Sequence, residues 1–375
     1  MRLAMPTHRE VPARLSRETI LESVSLWLLV RLAVFAFIFV VQLESLLQGS
    51  AFDSFINLWA FQEFDWYASI AESGYPGDGI FQANVAYFPG TALLMRLGAV
   101  FGASPALSGF LFALLGGVLA AVAMSVLAGR FDARAKWAVL ALALAPVSVF
   151  LSAPWSEGPF IALSLWAWVA AARQQWLWAG VFAAGATVVR VNGLFLMVAL
   201  LVLLLTTDRT QWRRGWPLLL PGLVVAGHFA YLQRVTGSWT AWRDSMSDNF
   251  GRSFVDPVTS FTNTYNLVFD YVPGTISSRF VGEILAAMTL IAFTLVLLWW
   301  KYWAEATYVG LTTFSLVTAD FYQALPRSLL VLFPIWLVIA RWMTARRSAR
   351  IFYVAIAIPA LAVTSYLFSF QQWLS

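Results

Sequence analysis

Runs of about 20 mostly apolar residues recur along this chain, and that length is what a helix needs to cross a bilayer. Inside lipid every backbone N–H and C=O must be satisfied within the protein, which makes the helix the natural conformation of such a run. Composition agrees: of 375 residues, 60% are hydrophobic and only 11% charged, against about 25% charged in a water-soluble domain. The expected fold is all-α, a polytopic integral membrane helical bundle read as a single domain over residues 1–375. Lipid and neighbouring helices take up the apolar faces, so no separate aqueous core is required.

The net charge of +5 is expected to sit in cytoplasmic loops, as the positive-inside rule directs, and implies no nucleic-acid partner. With no cysteine in the chain, disulfides, thiolate catalysis and cysteine-ligated metals are excluded, and His8 and His228 are the only imidazoles. The basic N-terminus, 1–24, precedes an apolar run longer than a signal-peptide core and without a small-x-small cleavage site, so the first span is expected to be retained.

Candidate spans are 25–46, 105–128, 137–151, 157–172, 176–189, 193–205, 216–233, 281–300, 302–319, 327–341 and 351–370, about 11 transmembrane helices. With the N-terminus inside, the basic loops "GRFDARAK", "DRTQWRRG" and "RWMTARRSAR" all become cytoplasmic. This requires residues 88–102 to lie along the outer surface and residues 176–205 to form two short spans that turn back at "VVRVNG". Arg190, Asn192 and Gly193 suit such a turn, glycine by lifting the steric bar on backbone angles and asparagine by tolerating left-handed geometry. The outer face then gathers the first outer loop (48–104, with interfacial helices), "SAPWSEG", the "VRVNG" turn, the long loop 234–280 and "DFYQALPR". No internal repeat or low-complexity tract is present.

The acids of "FQEFDWYASIAESGY" stand out against this background. Glu63 and Asp65 fall just beyond the first span among Trp59, Phe61, Phe64, Trp66 and Tyr67, aromatic residues that favour the membrane interface. A carboxylate held there is partly desolvated, which raises its proton affinity towards that of a general base. The bland alternative is a solvated interfacial helix whose acids balance charge. A divalent metal is possible but not favoured, since Glu-x-Asp without a nearby imidazole is an incomplete site. Arg190 and Arg327 are outer-side guanidinium groups shaped for phosphate, or alternatively partners of carboxylates that tie helices together. Glu157 either orients a substrate hydroxyl or serves the start of its helix. Asn84 and Tyr87 hold a sugar or anchor a loop. His228 is expected as a neutral histidine hydrogen-bonded between helices, and Arg31 and Arg96 as snorkelling residues. In the long loop, Trp239 and Trp242 are expected on the membrane, with Asp244, Asp248, Arg252 and Asp256 along an acceptor groove or, alternatively, in an interfacial cover with no ligand contact.

The ordered set "LWAFQEFDWYASIAESGY" with "NVAYFPG", "SAPWSEGPF", "ATVVRVNGL" and "YQALPRSLLVLFP" resembles the PIG-V-type mannosyltransferases, polyprenyl-phosphate-sugar-dependent enzymes of the GT-C class. The resemblance spans roughly residues 59–334. It implies a GT-C-like fold and an inverting transfer of mannose from a polyprenyl-phosphate-mannose donor to a glycolipid or glycan acceptor. Its base falls on Glu63, with Asp65 two residues on, and both are retained as candidates. It also implies donor phosphate at Arg190 and Arg327, and substrate contacts at Asn84, Tyr87, Glu157, Asn192, Tyr322 and Gln323, with no cofactor required. The short, cysteine-free chain points to a bacterial plasma membrane, with the site on the extracytoplasmic side. A multi-pass transporter or lipid-linked-sugar flippase, or a noncatalytic subunit of a larger assembly, are the rival readings.

Overall fold

The computed structural model describes residues 15–47, 55–76, 83–207, 209–270 and 277–372. The basic segment before residue 15 with His8, residues 48–54 and 77–82 of the first loop, and 271–276 of the long loop lie outside the described residues. The principal helices are α1 (Arg17–Val41), α2 (Glu63–Ser73), α3 (Gly90–Val100), α4 (Pro105–Leu127), α5 (Ala135–Ala143), α6 (Glu157–Ala172), α7 (Trp176–Val189) and α8 (Gly193–Thr207). They continue with α9 (Leu220–Thr236), α10 (Ala241–Phe250), α11 (Pro257–Asp270), α12 (Ser278–Trp299), α13 (Trp303–Val317), α14 (Leu325–Val331), α15 (Phe333–Ala345) and α16 (Arg347–Ser369). Among the described residues there is no strand, only an isolated bridge between Phe254 and Ala319.

Among the described residues, five helices are long and apolar enough to cross a membrane: Arg17–Val41, Pro105–Phe131, Trp212–Thr236, Ser278–Trp299 and Arg347–Ser369. A sixth span results if α14 and α15, bent by 74° at their junction, are counted as one broken helix. The chain is therefore a helical membrane protein. The bend departs from the unbroken span expected over 327–341, and Pro334 in the first turn of α15 explains it, because proline starts a helix but cannot donate into a preceding one. The span expected over 137–151 is likewise short: α5 stops at Ala143, ahead of Pro146, and a 3-10 turn, Ser148–Leu151, follows. α1 begins at Arg17, well before the apolar run, because Ser16 caps it by accepting from Thr19 N at 3.1 Å.

Small residues bring the central helices together. A Cβ on Gly116 of α4 would lie 2.4 Å from the carbonyl carbon of Gly158 in α6, so the two backbones meet in direct contact. Arg31 also belongs to this interior, contrary to the snorkelling expected of it. It is buried, and its guanidinium donates to the carbonyls of Ser148 (2.6 Å) and Ala143 (2.5 Å) and to Ser148 Oγ (2.8 Å). The broken α5 segment leaves these acceptors free, and they keep the charge inside. Arg96 is exposed and donates to the carbonyls of Ala71 and Ile70 at the end of α2.

The connections sort to two ends. At one end the basic loops join: Arg130 pairs with Glu305 (2.7 Å), Arg341 with Asp132 (2.9 Å), and Arg134 N donates to Thr344 Oγ1 (2.9 Å). At the other, an aromatic cluster fastens the first loop to the bundle. Trp59 is fully buried against Phe35 (5.4 Å), Phe110 (5.7 Å) and Phe368 (5.3 Å), and Trp155 Nε1 donates to Phe61 O at 3.2 Å. Trp59, Phe61 and Tyr67 are thus core residues, not interfacial ones. Trp66 alone of the expected set is exposed, and Phe64 is half-buried.

Candidate functional site

Four segments far apart in sequence carry charge to the end of the bundle anchored by Trp59. α2 opens with Glu63, α6 opens with Glu157, Arg190 follows α7, and α14 carries Arg327. Arg327 Nη2 lies 2.5 Å from Glu63 Oε1, and Arg327 Nε lies 3.2 Å from Glu157 Oε1 without hydrogen-bond alignment. Glu157 Oε1 also takes Arg190 Nη1 at 2.6 Å. Glu157 is completely buried, while Glu63 and Arg190 keep 16% and 19% side-chain exposure, so the cluster is reachable from the sides of those two residues. Glu157 Oε2 has no hydrogen-bond partner among the described residues.

A third guanidinium faces the same cluster. Arg252, in the turn after α10, donates from Nη2 to Gln323 O at 3.2 Å. Burial pushes its proton affinity down, and the nearby charges of Arg327 and Arg190 push it the same way, with Glu63 opposing them. Three arginines thus gather around Glu63 and Glu157, and the carboxylate of Glu283 lies within electrostatic reach of Arg252 from the other side. Tyr67 and Tyr87 close the flank. Burial, then the carboxylate of Glu63, holds both hydroxyls well above the ordinary tyrosine range, so each is a neutral donor. The Tyr67 hydroxyl meets Ser156, and the two rings cross edge-to-face at 5.1 Å.

Local backbone geometry aims both members of the Glu63–Arg327 pair. Gln62, just before α2, has φ 53°, and Ala324, just before α14, has φ 62°. For residues with a Cβ such conformations cost on the order of 1–3 kcal/mol and persist only where the surroundings enforce them. At Ala324 the enforcing group is Glu283 of α12, which accepts from Ala324 N (2.9 Å) and Leu325 N (2.8 Å) and so caps the helix that carries Arg327.

The structure brings together Glu63, Glu157, Arg190 and Arg327, with Tyr87 adjacent. Gln323 joins through its carbonyl, while its Oε1 is buried without a hydrogen-bond partner among the described residues. Asn84 sits below Tyr87 in the turn Ala83–Ala86, buried, with Nδ2 3.5 Å from Ser69 Oγ and Oδ1 unpartnered among the described residues. Asn192 lies in the turn after Arg190. Asp65 is exposed, one face of α2 away from Glu63, and burial of part of its carboxyl raises its proton affinity. Tyr322 is buried, with its N–H donated to Thr264 Oγ1 at 2.7 Å.

The turn at "VRVNG" exists, but not for the backbone reason expected. Neither Asn192 nor Gly193 has a positive φ; Arg190 is extended (φ −149°, ψ 139°), and Gly193 is needed because a Cβ there would lie 2.2 Å from Thr187 Oγ1. His228 is buried, yet its Nε2 has no hydrogen-bond partner among the described residues, and its ring packs on Phe88 (4.4 Å) and Tyr75 (5.6 Å). It fills an aromatic pocket in place of the interhelical hydrogen bond expected. Trp242 turns inward too, donating from Nε1 to Ala86 O at 3.0 Å, whereas Trp239 is exposed. Asp256 caps α11 by accepting from Val258 N and Thr259 N, and Asp244 is taken by Thr240 Oγ1 (2.5 Å) and Arg243, so neither is a free groove lining. No group of three or more His, Cys, Asp or Glu side chains suited to a metal occurs among the described residues.

Tyr67, Ser156 and Glu283 escape sequence reasoning. The available signal for Glu283 is an acid near the start of an otherwise apolar helix; its partners lie 41 and 42 residues away, and nothing in the pattern links them. No protein-family model, curated protein or solved structure matches this chain.

Proposed function

We propose that the cluster is the site of an inverting glycosyltransferase of GT-C type, which moves mannose from a polyprenyl-phosphate donor to a glycolipid or glycan acceptor on the extracytoplasmic face of a bacterial plasma membrane. The supporting observation is the gathering of three guanidinium groups, Arg190, Arg252 and Arg327, around the carboxylates of Glu63 and Glu157 at one end of a membrane bundle. Such a seat suits an anionic headgroup whose tail remains in lipid, and arginine's planar fork matches phosphate oxygens. In this reading eleven segments traverse the membrane, which puts the basic loops joined through Arg130, Arg134 and Arg341 on the cytoplasmic side.

In the reaction, an acceptor hydroxyl oxygen bonds to the anomeric carbon as the bond from that carbon to the phosphate oxygen breaks. The hydroxyl proton passes to a carboxylate, and the lipid phosphate leaves with the bonding electron pair. Guanidinium groups beside the departing oxygen stabilise its growing charge more in the transition state than in the ground state. Glu63 is the favoured base because it is the partly exposed carboxylate of the cluster, beside the arginines that would hold the phosphate. Asp65 faces away from the cluster and remains the second candidate. Tyr87 and Gln323 adjoin the arginines and are the favoured substrate contacts, with Asn84, Asn192 and Tyr322 as further candidates, and Glu157 contacts both Arg190 and Arg327. The chemistry needs no cofactor.

The test is transfer of labelled mannose from polyprenyl-phosphate-mannose to membrane glycolipids by purified protein, comparing Glu63→Gln, Asp65→Asn and the double variant. Loss of at least a hundredfold in Glu63→Gln, on the scale of a removed general base, is the expected result. Full transfer by the double variant refutes the proposed chemistry. The 74° break between α14 and α15 also occurs in kinds of helix that transporters use, so a flippase is the second reading. It predicts movement of the intact lipid-linked sugar across vesicles with no transfer.

A further inference from the structure

α11 divides cleanly into three sectors when its residues are wound at about 100° each. Ser260, Thr264 and Val268 are buried against the bundle. Thr259, Asn263 and Asn266 form a polar exposed sector. Between the two lies an apolar exposed sector, Val258, Phe261, Tyr265 and Phe269, continued by Phe254 ahead of the helix, with the three aromatic side chains 43–49% exposed and Phe254 77% exposed. The rings contact in sequence, Phe261 stacked on Tyr265 at 6.1 Å and Tyr265 edge-to-face with Phe269 at 5.2 Å, so they form one continuous strip. A helix in water would gain nothing from keeping such a strip uncovered.

The helix is bolted to the site. Tyr322 N donates to Thr264 Oγ1 (2.7 Å), Asn263 Nδ2 donates to Asp320 O (2.8 Å), and Val255 N donates to Thr318 O (2.9 Å). These bonds tie α11 to the loop that leads into α14 and Arg327. At its other end, Ser277 N donates to Val268 O (2.9 Å), so α11 abuts the start of α12, a candidate span whose own exposed residues include Leu285, Met288, Ile291 and Leu295.

We propose that α11 lies flat in the membrane interface, with Phe254, Val258, Phe261, Tyr265 and Phe269 immersed in lipid and Asn266 and Thr259 in water, and that it fixes the depth of the loop carrying Tyr322 and Gln323. The occupant of the strip is the lipid surface. The junction with the start of α12, a candidate span with exposed apolar side chains, supports this, as does the chemistry of the strip: aromatic side chains are the residues that favour the level of the headgroups, and a polar sector on the other side is the pattern of an interfacial helix. The proposal needs only the membrane character of the bundle and is independent of any reaction.

The absence of native cysteine makes the test direct, because single-cysteine variants require no background substitutions. Phe261→Cys, Tyr265→Cys, Phe269→Cys, Thr259→Cys and Asn266→Cys, each spin-labelled in the full chain reconstituted into phosphatidylcholine nanodiscs, are compared for collision with oxygen and with a water-soluble nickel chelate. Labels at 261, 265 and 269 are expected to collide with oxygen several-fold more than with the chelate, and labels at 259 and 266 the reverse. Equal access of the chelate to all five positions overturns the proposal, since the strip would then face water. Shielding of 261, 265 and 269 from both reagents also overturns it, because the strip would then be covered by protein such as a second copy. Three positions on one strip keep the test decisive if one variant misfolds.

Discussion

Glu157→Gln is the perturbation whose size the structure defines best. The carboxylate is completely buried and contacts two guanidinium groups, Arg190 at 2.6 Å and Arg327 at 3.2 Å. At an effective dielectric near 20, opposite charges centred about 4 Å apart attract by roughly 4 kcal/mol. Removing three charges from water costs several kcal/mol per ion, which offsets much of that attraction, so the intact cluster is near neutral for stability. Neutralising Glu157 alone is different: it leaves Arg190 with no carboxylate among the described partners and Arg327 with Glu63 only. Breaking a buried pair in this way costs about 3–5 kcal/mol. At roughly 2 °C per kcal/mol, the lower end for larger domains, the thermal midpoint in a fixed detergent falls by about 6 °C or more. Arg190→Met alone strands Glu157 in part and is also destabilising, but the double variant Glu157→Gln/Arg190→Met is expected to lose less than the sum of the singles. The assay is intrinsic tryptophan fluorescence during heating of all four proteins at one scan rate. Strict additivity, or a shift below about 2 °C for Glu157→Gln, on the same conversion, would show that the carboxylate is not the hub of the cluster.

Other parts of the fold make further predictions. Gly116→Ala places a methyl within 2.4 Å of the Gly158 carbonyl carbon and is expected to cost about 1–3 kcal/mol as α4 and α6 separate, read as a lower thermal midpoint; an unchanged midpoint would refute the contact. Arg31→Lys loses the fork that spans Ala143 O and Ser148 O and is expected to destabilise nearly as much as Arg31→Met, whereas a simple need for charge would let lysine rescue. Asp256 is held below the usual carboxylate range first by the Thr259 hydroxyl and then by the Thr259 N–H. A depressed folded-state value means stabilisation present above the ordinary Asp value and lost as pH falls through the depressed one, so amide exchange at the start of α11 should accelerate, beyond its intrinsic pH dependence, only on acidification into that window. Asp256→Asn should remove the effect.

Much of the bundle is legible in the sequence because apolar length is a strong signal. The runs at 157–172 and 176–189 return as α6 and α7 residue for residue, and those at 105–128, 281–300 and 351–370 return as α4, α12 and α16 with ends shifted by up to four residues. Breaks are harder: Pro146 and Pro334 interrupt runs that hydropathy alone reads through. The charged residues of the site are legible as types, since an acid or arginine in an apolar chain demands a partner. Their pairing is not, because Glu63 and Arg327 are 264 residues apart and meet only through tertiary packing. Aromatic residues mislead most. Trp59, Phe61 and Trp242 have interfacial chemistry yet are taken up by cluster packing and by the Trp242 bond to Ala86 O, whereas the residues that do form an exposed strip, Phe261, Tyr265 and Phe269, sit in a loop whose helix only its periodicity betrays. Glu283 acts on backbone N–H groups, which carry no sequence identity to read.

The central claim, that three arginines form a seat for a phosphate on a membrane-bound lipid, is tested most directly by lipid binding to the purified protein. Polyprenyl phosphate and the uncharged polyprenol of the same chain length are titrated against wild type, Arg252→Gln and Arg327→Gln. The account predicts that wild type prefers the phosphate at least tenfold and that each substitution reduces the preference while leaving polyprenol binding unchanged. Equal affinity for the two lipids, or a preference left intact by each of the two substitutions, contradicts it.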